Sequence, residues 1–356
     1  MKEIRIGKRR IGGSNPTYFV ADIAANHDGD LERARTLIHL AAEAGADAAK
    51  FQNFRAAEIV SDYGFSSRGA PVSHQAQWQR SVFEVYQAAS IPFAWSPVLQ
   101  KTCAEAGIDY FSAPYDFQAV DELARYFPAI KIGSGDITWP EILERIASQG
   151  KPVLLATGAS SLEDVQRAVT LVLGLNPDLV LMQCNTSYTG SVENFRHIHL
   201  NVLKTYAVLY PQVVLGLSDH TAGHATVLGA VALGARVIEK HFTNDRNREG
   251  PDHLFSMDPG SWREMVDRTR ELEAALGSSE KFVAENERET VWIQRRCLRA
   301  GRVIQEGETL RREMIAVLRP AEPEAIPPYE MDGVLGTRAR LLIPEGEALR
   351  WTMLGP

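Results

Sequence analysis

The chain reads as an α/β protein, a (β/α)8 TIM barrel followed by a small β-rich domain. Three observations predict this. Eight short β-rich runs recur along the first 280 or so residues, and nearly every one is followed by a helical pattern. The runs are apolar on both faces, as parallel strands covered by helices must be, and eight such units match a barrel of ~250 residues. Beyond Gly277 the alternation stops and a short repeated motif takes over. An open doubly wound sheet is the alternative, but its glycine-rich first turn is missing.

In order, the runs are "TYFVADIAAN", "AAKFQNF", "DYFSAPY", "AIKIGSG", "PVLLATG", "LVLMQCNT", "VVLGLSDH" and "RVIEKHF". Asp30 can cap the helix "LERARTLIHLAAEAG", which Gly45 closes; Ser160 with Glu163 makes a capping box before "DVQRAVTLVLG"; Asp258-Pro259 opens "GSWREMVDRTRELEAALG". The second and third units are separated by a long stretch, 55–107, that holds more than one helix. Part of it is an insertion at the C-terminal mouth of the strands, where barrel enzymes build their sites, and a lid or substrate wall is expected there. Residues 1–279 are therefore the barrel and the charged stretch 280–296 a linker with a short helix. Residues 297–356 contain the repeat, "RAGRVIQEGETLRREMI" and "RARLLIPEGEALRWTML". Each copy predicts a strand, an E-G-E turn using the backbone freedom of Gly307 or Gly346, and a further short segment.

The 356 residues are 45% apolar and 23% charged, with no apolar run long enough to span a bilayer, so a membrane role is not expected. The basic start has no apolar segment of the secretory kind, which makes the cytoplasm the default. Three widely spaced cysteines suit reduced thiols better than a disulfide framework or a zinc site. A net charge of −7 argues against nucleic acid as a bulk partner, yet leaves room for a small anion held by a few local cations.

Residues that end different strands meet at one mouth of a barrel. His220 ends the seventh run and His241 the eighth, which puts them one inter-strand spacing of ~4.8 Å apart. Two neutral imidazoles at that distance can share a divalent cation; two polar caps bonded to backbone are the other reading. Lys50 and Lys131 lie within strand runs, where a buried ammonium is costly unless paired. With Ser134 and Ser218 they can form a nest for a phosphate and a carboxylate; alternatively they are buried salt bridges to Asp22 and Asp136. Tyr188 can orient a substrate hydroxyl or plug the mouth, and the loop after the eighth strand brings Asp252 and His253 within reach.

Taken together and in order, "ADIAANHDGD", "AKFQ", "KIGSGD", "ATGAS", "GLSDHTAGH", "EKHFT" and "GPDHLFSMDP", followed by a small C-terminal domain, resemble the sialic acid synthase family over essentially the whole chain. The resemblance implies a condensation of phosphoenolpyruvate with an N-acylated aminosugar, such as N-acetylmannosamine, to a nine-carbon 2-keto acid and phosphate. It implies Mn2+ or Mg2+ on His220 and His241, and phosphoenolpyruvate near Lys50, Lys131, Ser134, Asn185, Thr186 and Ser218. Asp22, Asp136, Tyr188 and Asp252 would face the sugar. The C-terminal domain would be of the antifreeze-like, β-clip kind, in a domain-swapped homodimer that sends Arg319 to the partner's N-acyl group. Asp22 and Asp136 stand where many members have glutamate, and Ala113 and Ala156 replace hydroxyl residues. These departures fall on the sugar pocket more than on the metal site, and could admit a bulkier diacetamido sugar leading to a legionaminic or pseudaminic acid. Two rivals follow from the same residues: a condensing enzyme of the 3-deoxy-octulosonate 8-phosphate synthase kind, and a catalytically degenerate sugar-binding subunit.

Overall fold

The computed structural model describes residues 2–67, 75 and 78–356. It divides into two units, 1–277 and 278–356. All eight expected barrel strands are present. After an N-terminal hairpin of β1 (Glu3–Ile6) and β2 (Arg9–Gly12), they are β3 (Tyr18–Asp22), β4 (Ala48–Asn53), β5 (Asp109–Pro114), β6 (Ile130–Ile132), β7 (Val153–Ala156), β8 (Leu179–Cys184), β9 (Val214–Asp219) and β10 (Val237–His241). The parallel order β5-β4-β3-β10-β9-β8-β7-β6 is that of a barrel, and its two end strands, β5 and β6, lie side by side and close it.

Side chains two apart on a strand point the same way, so each strand contributes alternately to the barrel interior and to the layer under the helices. The interior begins with a dry cluster that includes Val20, Ala48, Phe111, Ala129, Leu154, Met182 and Val237. Ile4, Ile6 and Ile11 of the hairpin belong to the same cluster and seal the end of the barrel away from the mouth. This hairpin was not expected from the sequence, where the charges of "KRR" obscure the apolar alternation of "EIRI". Its exit needs glycine: at Gly12 φ is +95°, and a Cβ would lie 2.2 Å from the Lys2 carbonyl oxygen. The outer layer is larger and joins Phe19, Phe51, Leu155 and Ile238 to the covering helices.

Helix Leu31–Glu43 starts at Asp30, whose side chain accepts from the Glu32 and Arg33 amides, and helix Pro259–Leu276 starts at Asp258 in a capping box with Ser261. The capping box of helix Leu162–Leu175 is one residue later than expected, with Ser161 and Asp164 in place of Ser160 and Glu163. Ser160 is taken up differently: its hydroxyl donates to the Gly158 carbonyl at 2.9 Å, closing the turn after β7. The insertion after β4 carries helices Ala56–Ile59, Asp62–Ser66 and Val82–Ala89 before the barrel helix Ser96–Ala106. No helix among the described residues is long and apolar enough to cross a membrane.

The second unit contains helix Arg288–Gln294 and the two motif copies. In the first copy β11 (Cys297–Ala300) pairs antiparallel with β12 (Ile315–Leu318); in the second β13 (Arg338–Ala339) pairs with β14 (Leu354–Gly355). The copies also exchange bridges, Arg299 with Ala348 and Thr309 with Arg338, around a central Ile304–Ile343 bridge. Aligning the motifs makes these two outer bridges equivalent, so the unit has a local pseudo-twofold. The E-G-E turns obey it as well: the Gly307 amide donates to Ala339 and the Gly346 amide to Ala300, with φ of +80° and +84°. Their hydrophobic core is small and built from both copies, among them Leu298, Leu310, Ile343 and Leu354.

Candidate active site

Two residues up from the dry interior cluster, the same strand faces turn polar. Val20 is followed by Asp22, Ala48 by Lys50, Ala129 by Lys131, and Val237 by Glu239 and then His241. Strand register sets the neighbours: Asp22 pairs with both Lys50 and His241, and Ser218 with both Glu239 and Cys184. The mouth above holds a cavity of about 410 Å³.

At its floor Glu239 joins the two lysines. Its Oε1 lies 3.1 Å from Lys50 Nζ and 3.0 Å from Lys131 Nζ, and accepts from the Ser218 hydroxyl at 3.3 Å. Lys50 Nζ is also 2.6 Å from Asp22 Oδ2. The salt-bridge reading of the lysines is thus correct for Lys50 and Asp22 but wrong for Lys131, whose partner is Glu239 and not Asp136. Glu239 is a site residue that sequence reasoning missed. A signal was available, because Val237, Glu239 and His241 share one face of the strand.

Burial works against every charge here. It raises the Asp22 carboxyl above the ordinary range despite the pull of Lys50. For Glu239 burial is outweighed by Lys131 and Lys50, which hold it down at about 2. Burial also opposes the Lys50 ammonium, but Asp22 and Glu239 more than compensate and its pKa rises. The Oε2 of Glu239 is buried with no hydrogen-bond partner among the described residues, so one acceptor of the cluster is left unsatisfied.

His220 and His241 end adjacent strands as expected, with ring centroids 5.3 Å apart. Burial, and then the neighbouring His241, lowers His220 to about 3. His241 is likewise lowered to about 3, by burial and then Lys50. Both rings are therefore neutral near pH 7. His220 Nδ1 lies 2.8 Å from the Asn185 carbonyl, which can only accept, so the proton sits on Nδ1 and Nε2 keeps its lone pair. His241 is flanked by two carboxylates, with Nε2 3.6 Å from Asp22 Oδ2 and Nδ1 4.0 Å from Asp252 Oδ2; its buried Nδ1 has no hydrogen-bond partner among the described residues. Among the described residues, His220 and His241 are the histidines that line the cavity, and no group of three or more His, Cys, Asp or Glu is arranged as metal ligands. The donor set fits a divalent cation held by two imidazoles whose other positions are filled from outside the protein.

Other expected residues divide. Tyr188 lines the cavity with its ring 4.3 Å from that of His220, and Phe255 packs edge-on against both histidines. Asp252 also lines it; its Oδ2 accepts from the Ala25 amide at 3.0 Å, and burial pushes its carboxyl up to about 7. Ser134 and Asp136 are on the lining too, Asp136 raised to about 6 by burial. Asn185 and Thr186 are not. The Asn185 side chain is spent within its own loop, donating to the His197 carbonyl and accepting from the Ser187 amide, so it serves the site through its backbone. His253 is also turned away, bonded to Thr243 and Asp28. Arg319 belongs to the second unit, where it is exposed. The inserted segment contributes a wall that includes Ile59, Val85 and Tyr86, as expected; its residues 68–74, 76 and 77 lie outside the described residues.

The chain is similar to known proteins over nearly its whole length. The NeuB family matches residues 37–281 and the SAF domain residues 295–355. N,N'-diacetyllegionaminic acid synthase of Legionella pneumophila is 33% identical over 96% of this chain and 95% of its own. N-acetylneuraminate-9-phosphate synthase of Homo sapiens is 31% identical over 96% and 93%. The crystal structure of N-acetylneuraminic acid synthetase from Leptospira borgpetersenii, in complex with citrate, superposes with a TM-score of 0.72 at 29% identity, covering 82% of this chain and 95% of that one. A barrel with this mouth, followed by a pseudo-symmetric SAF domain, places the chain in the NeuB family.

Proposed function

We propose that this chain condenses phosphoenolpyruvate with an N-acylated aminosugar to a nonulosonic acid and phosphate, using Mn2+ or Mg2+ on His220 and His241. The observation that carries the reading is the mouth itself: two neutral imidazoles with available ring nitrogens stand directly above two lysines that share one carboxylate. Family membership supports the same chemistry. The active form in this reading is a cytoplasmic homodimer in which the second units are exchanged and Arg319 meets the partner's sugar.

Phosphoenolpyruvate is a small polyanion, and Lys50 and Lys131 can turn from Glu239 toward it with Ser134 and Ser218 as donors. C3 of phosphoenolpyruvate bonds to the aldehyde carbon of the open-chain sugar, and the aldehyde oxygen takes a proton. Water adds at C2 and loses a proton, leaving C2 with a hydroxyl and the phosphate ester; the bond between C2 and the phosphate oxygen then breaks, phosphate leaves with the electron pair and takes up the hydroxyl proton, and C2 becomes the ketone. A cation bound at the histidines supplies Lewis-acid polarisation of the aldehyde. Asp252, with a pKa near neutrality, is suited to deliver the proton to the aldehyde oxygen, and Asp22 to accept one from the water. Lysine charge offsets the anion as it redistributes.

The test is an assay of phosphate release with product mass, before and after chelation, for the native chain and for His220→Ala and His241→Ala. We expect chelation and either substitution to abolish turnover while far-ultraviolet circular dichroism is retained, since mouth residues contribute little to the barrel core. Full activity of both variants after chelation would refute the metal assignment, and no release with any N-acylated hexosamine would refute the condensation.

A further inference from the structure

The loops that follow β3 and β10 leave neighbouring strand ends, and side chains sew them together. Asn26 is buried, and its Nδ2 donates to the Phe242 carbonyl at 2.9 Å and to the Ser256 hydroxyl at 2.8 Å. Arg33, at the start of the helix after the first loop, reaches Asn244 Oδ1 in the second at 2.9 Å. The seam is completed by Asp28 and His253. His253 is fully buried, and burial lowers its pKa, so the ring is neutral. Its Nε2 donates to Asp28 Oδ1 at 2.9 Å, because a carboxylate can only accept, and its Nδ1 accepts from the Thr243 hydroxyl at 2.8 Å.

Asp28 is the hub of this seam. Its φ is +53°, a backbone state that aspartate adopts more readily than most side chains. While Oδ1 takes His253, Oδ2 lies 3.0 Å from Arg33 Nε and 2.7 Å from Arg248 Nη2. Burial opposes the carboxylate, but His253 and the two arginines outweigh it and hold its pKa below the ordinary range. Asp28 and His253 are not on the cavity lining, whereas Pro251 and Asp252, directly before His253, are. We infer that Asp28 and His253 are positioning residues, a latch that fixes the backbone from which the Asp252 carboxyl projects into the mouth. Asp252 is held from both sides of that latch: its Oδ2 accepts from the Ala25 amide at 3.0 Å, and its carbonyl accepts from the Ser256 hydroxyl at 2.6 Å. A proton donor has to stand within hydrogen-bond reach of its acceptor, and a misplacement of about 1 Å can cost on the order of a hundredfold in rate. The inference rests on the role given to Asp252 in the proposed condensation.

The experiment compares His253→Leu, which removes both hydrogen bonds of the ring, with His253→Gln, whose amide can still donate to Asp28. His253→Leu should lower kcat at least about tenfold and leave the KM for phosphoenolpyruvate within about threefold, and His253→Gln should recover most of the loss. Because the latch acts through Asp252, adding His253→Leu to Asp252→Asn should cost little beyond Asp252→Asn alone. Hydrogen exchange followed by mass spectrometry reads the seam without turnover. In His253→Leu the segments 23–30 and 243–258 should exchange at least about tenfold faster, with the barrel strands as in the native chain. If His253→Leu does not fold, Asp28→Gly opens the latch from its other side, at a positive φ that suits glycine, and the same outcomes apply. Native exchange in the two segments, native kcat in a protein whose seam has loosened, or full additivity with Asp252→Asn overturns the inference and leaves the condensation intact. Faster exchange throughout the barrel, with kcat and KM both impaired and no recovery in His253→Gln, makes the pair a general prop of the fold and overturns it too. No phosphate release by the native chain with any N-acylated hexosamine overturns the condensation, and the inference with it.

Discussion

Asp136 shows how much of a residue's behaviour is set by its surroundings. In the sequence it is one acid in "GSGD"; in the fold, burial without a compensating cation raises its pKa to about 6. The folded form therefore binds this proton more tightly than the unfolded form, whose carboxyl has the ordinary value near 3.8. The sign follows: the stability associated with the protonated carboxyl is full below pH ~4 and is lost as pH rises through about 6, with an upper bound of about 3 kcal/mol. Asp136→Asn should remove this slope, so its melting temperature relative to the native chain should rise between pH 4 and 7. A difference independent of pH would mean that Asp136 is well solvated. The residues that were legible from sequence, His220, His241, Lys50 and Lys131, are those whose types are unusual at strand ends. Glu239 escaped because an acid next to a lysine reads as an ordinary solvated pair, and Asn185, expected near phosphoenolpyruvate from the family resemblance, has its side-chain amide bonded within its own loop.

At the level of strands, alternation makes a second site behind the first. Asp219 and Lys240 immediately precede the two histidines and point outward, beneath the covering helices. Their side chains are buried and joined in a salt bridge. Lys240 also donates to the Thr221 carbonyl, and Asp219 accepts from the hydroxyls of Thr221 and Thr226. This pair ties the ends of β9 and β10 together one residue before each imidazole, and so holds the spacing on which the proposed cation would depend. Lys240→Met leaves a buried carboxylate without its cation and should cost about 3–5 kcal/mol. It should also weaken Mn2+ binding, measured directly by titration calorimetry on the folded variant at low temperature. Adding Asp219→Asn should restore much of the stability, since the uncompensated charge is then gone, but not the metal affinity. Strictly additive destabilisation, or native Mn2+ affinity in Lys240→Met, would remove the pair from the site. Strand positions were legible because a short run that is apolar on both faces has to be covered on both, as a barrel strand is by the interior and the helices. The β1–β2 hairpin was not, since its burial comes from plugging a barrel that local sequence cannot show. The shifted capping box has a related cause: Ser160 and Ser161 both offer a hydroxyl, and only the turn at Gly158 decides between them.

For the whole chain, the two-unit organisation was legible because a repeat is visible without structure; what no single chain displays is how many copies make one site. The second unit has a small core shared between its two motif copies, and units of this size gain from burial against a larger body. Arg319 lies just after β12, exposed, with no hydrogen bond or ion pair among the described residues. Its guanidinium can make a directed contact to an acyl carbonyl that lysine would not reproduce. If the units exchange in a C2 dimer, each site takes its histidines from one chain and its arginine from the other. Arg319→Ala should then reduce kcat/KM for the sugar by ~10-fold or more, with a much smaller change for phosphoenolpyruvate. The decisive measurement is complementation. Arg319→Ala and His220→Ala homodimers should each be nearly inactive, but a mixed dimer has one site with both residues intact and one with neither, so mixing should recover up to about half the native activity per mixed dimer. An active monomer in solution, or mixed dimers that form and stay inactive, would refute the exchange.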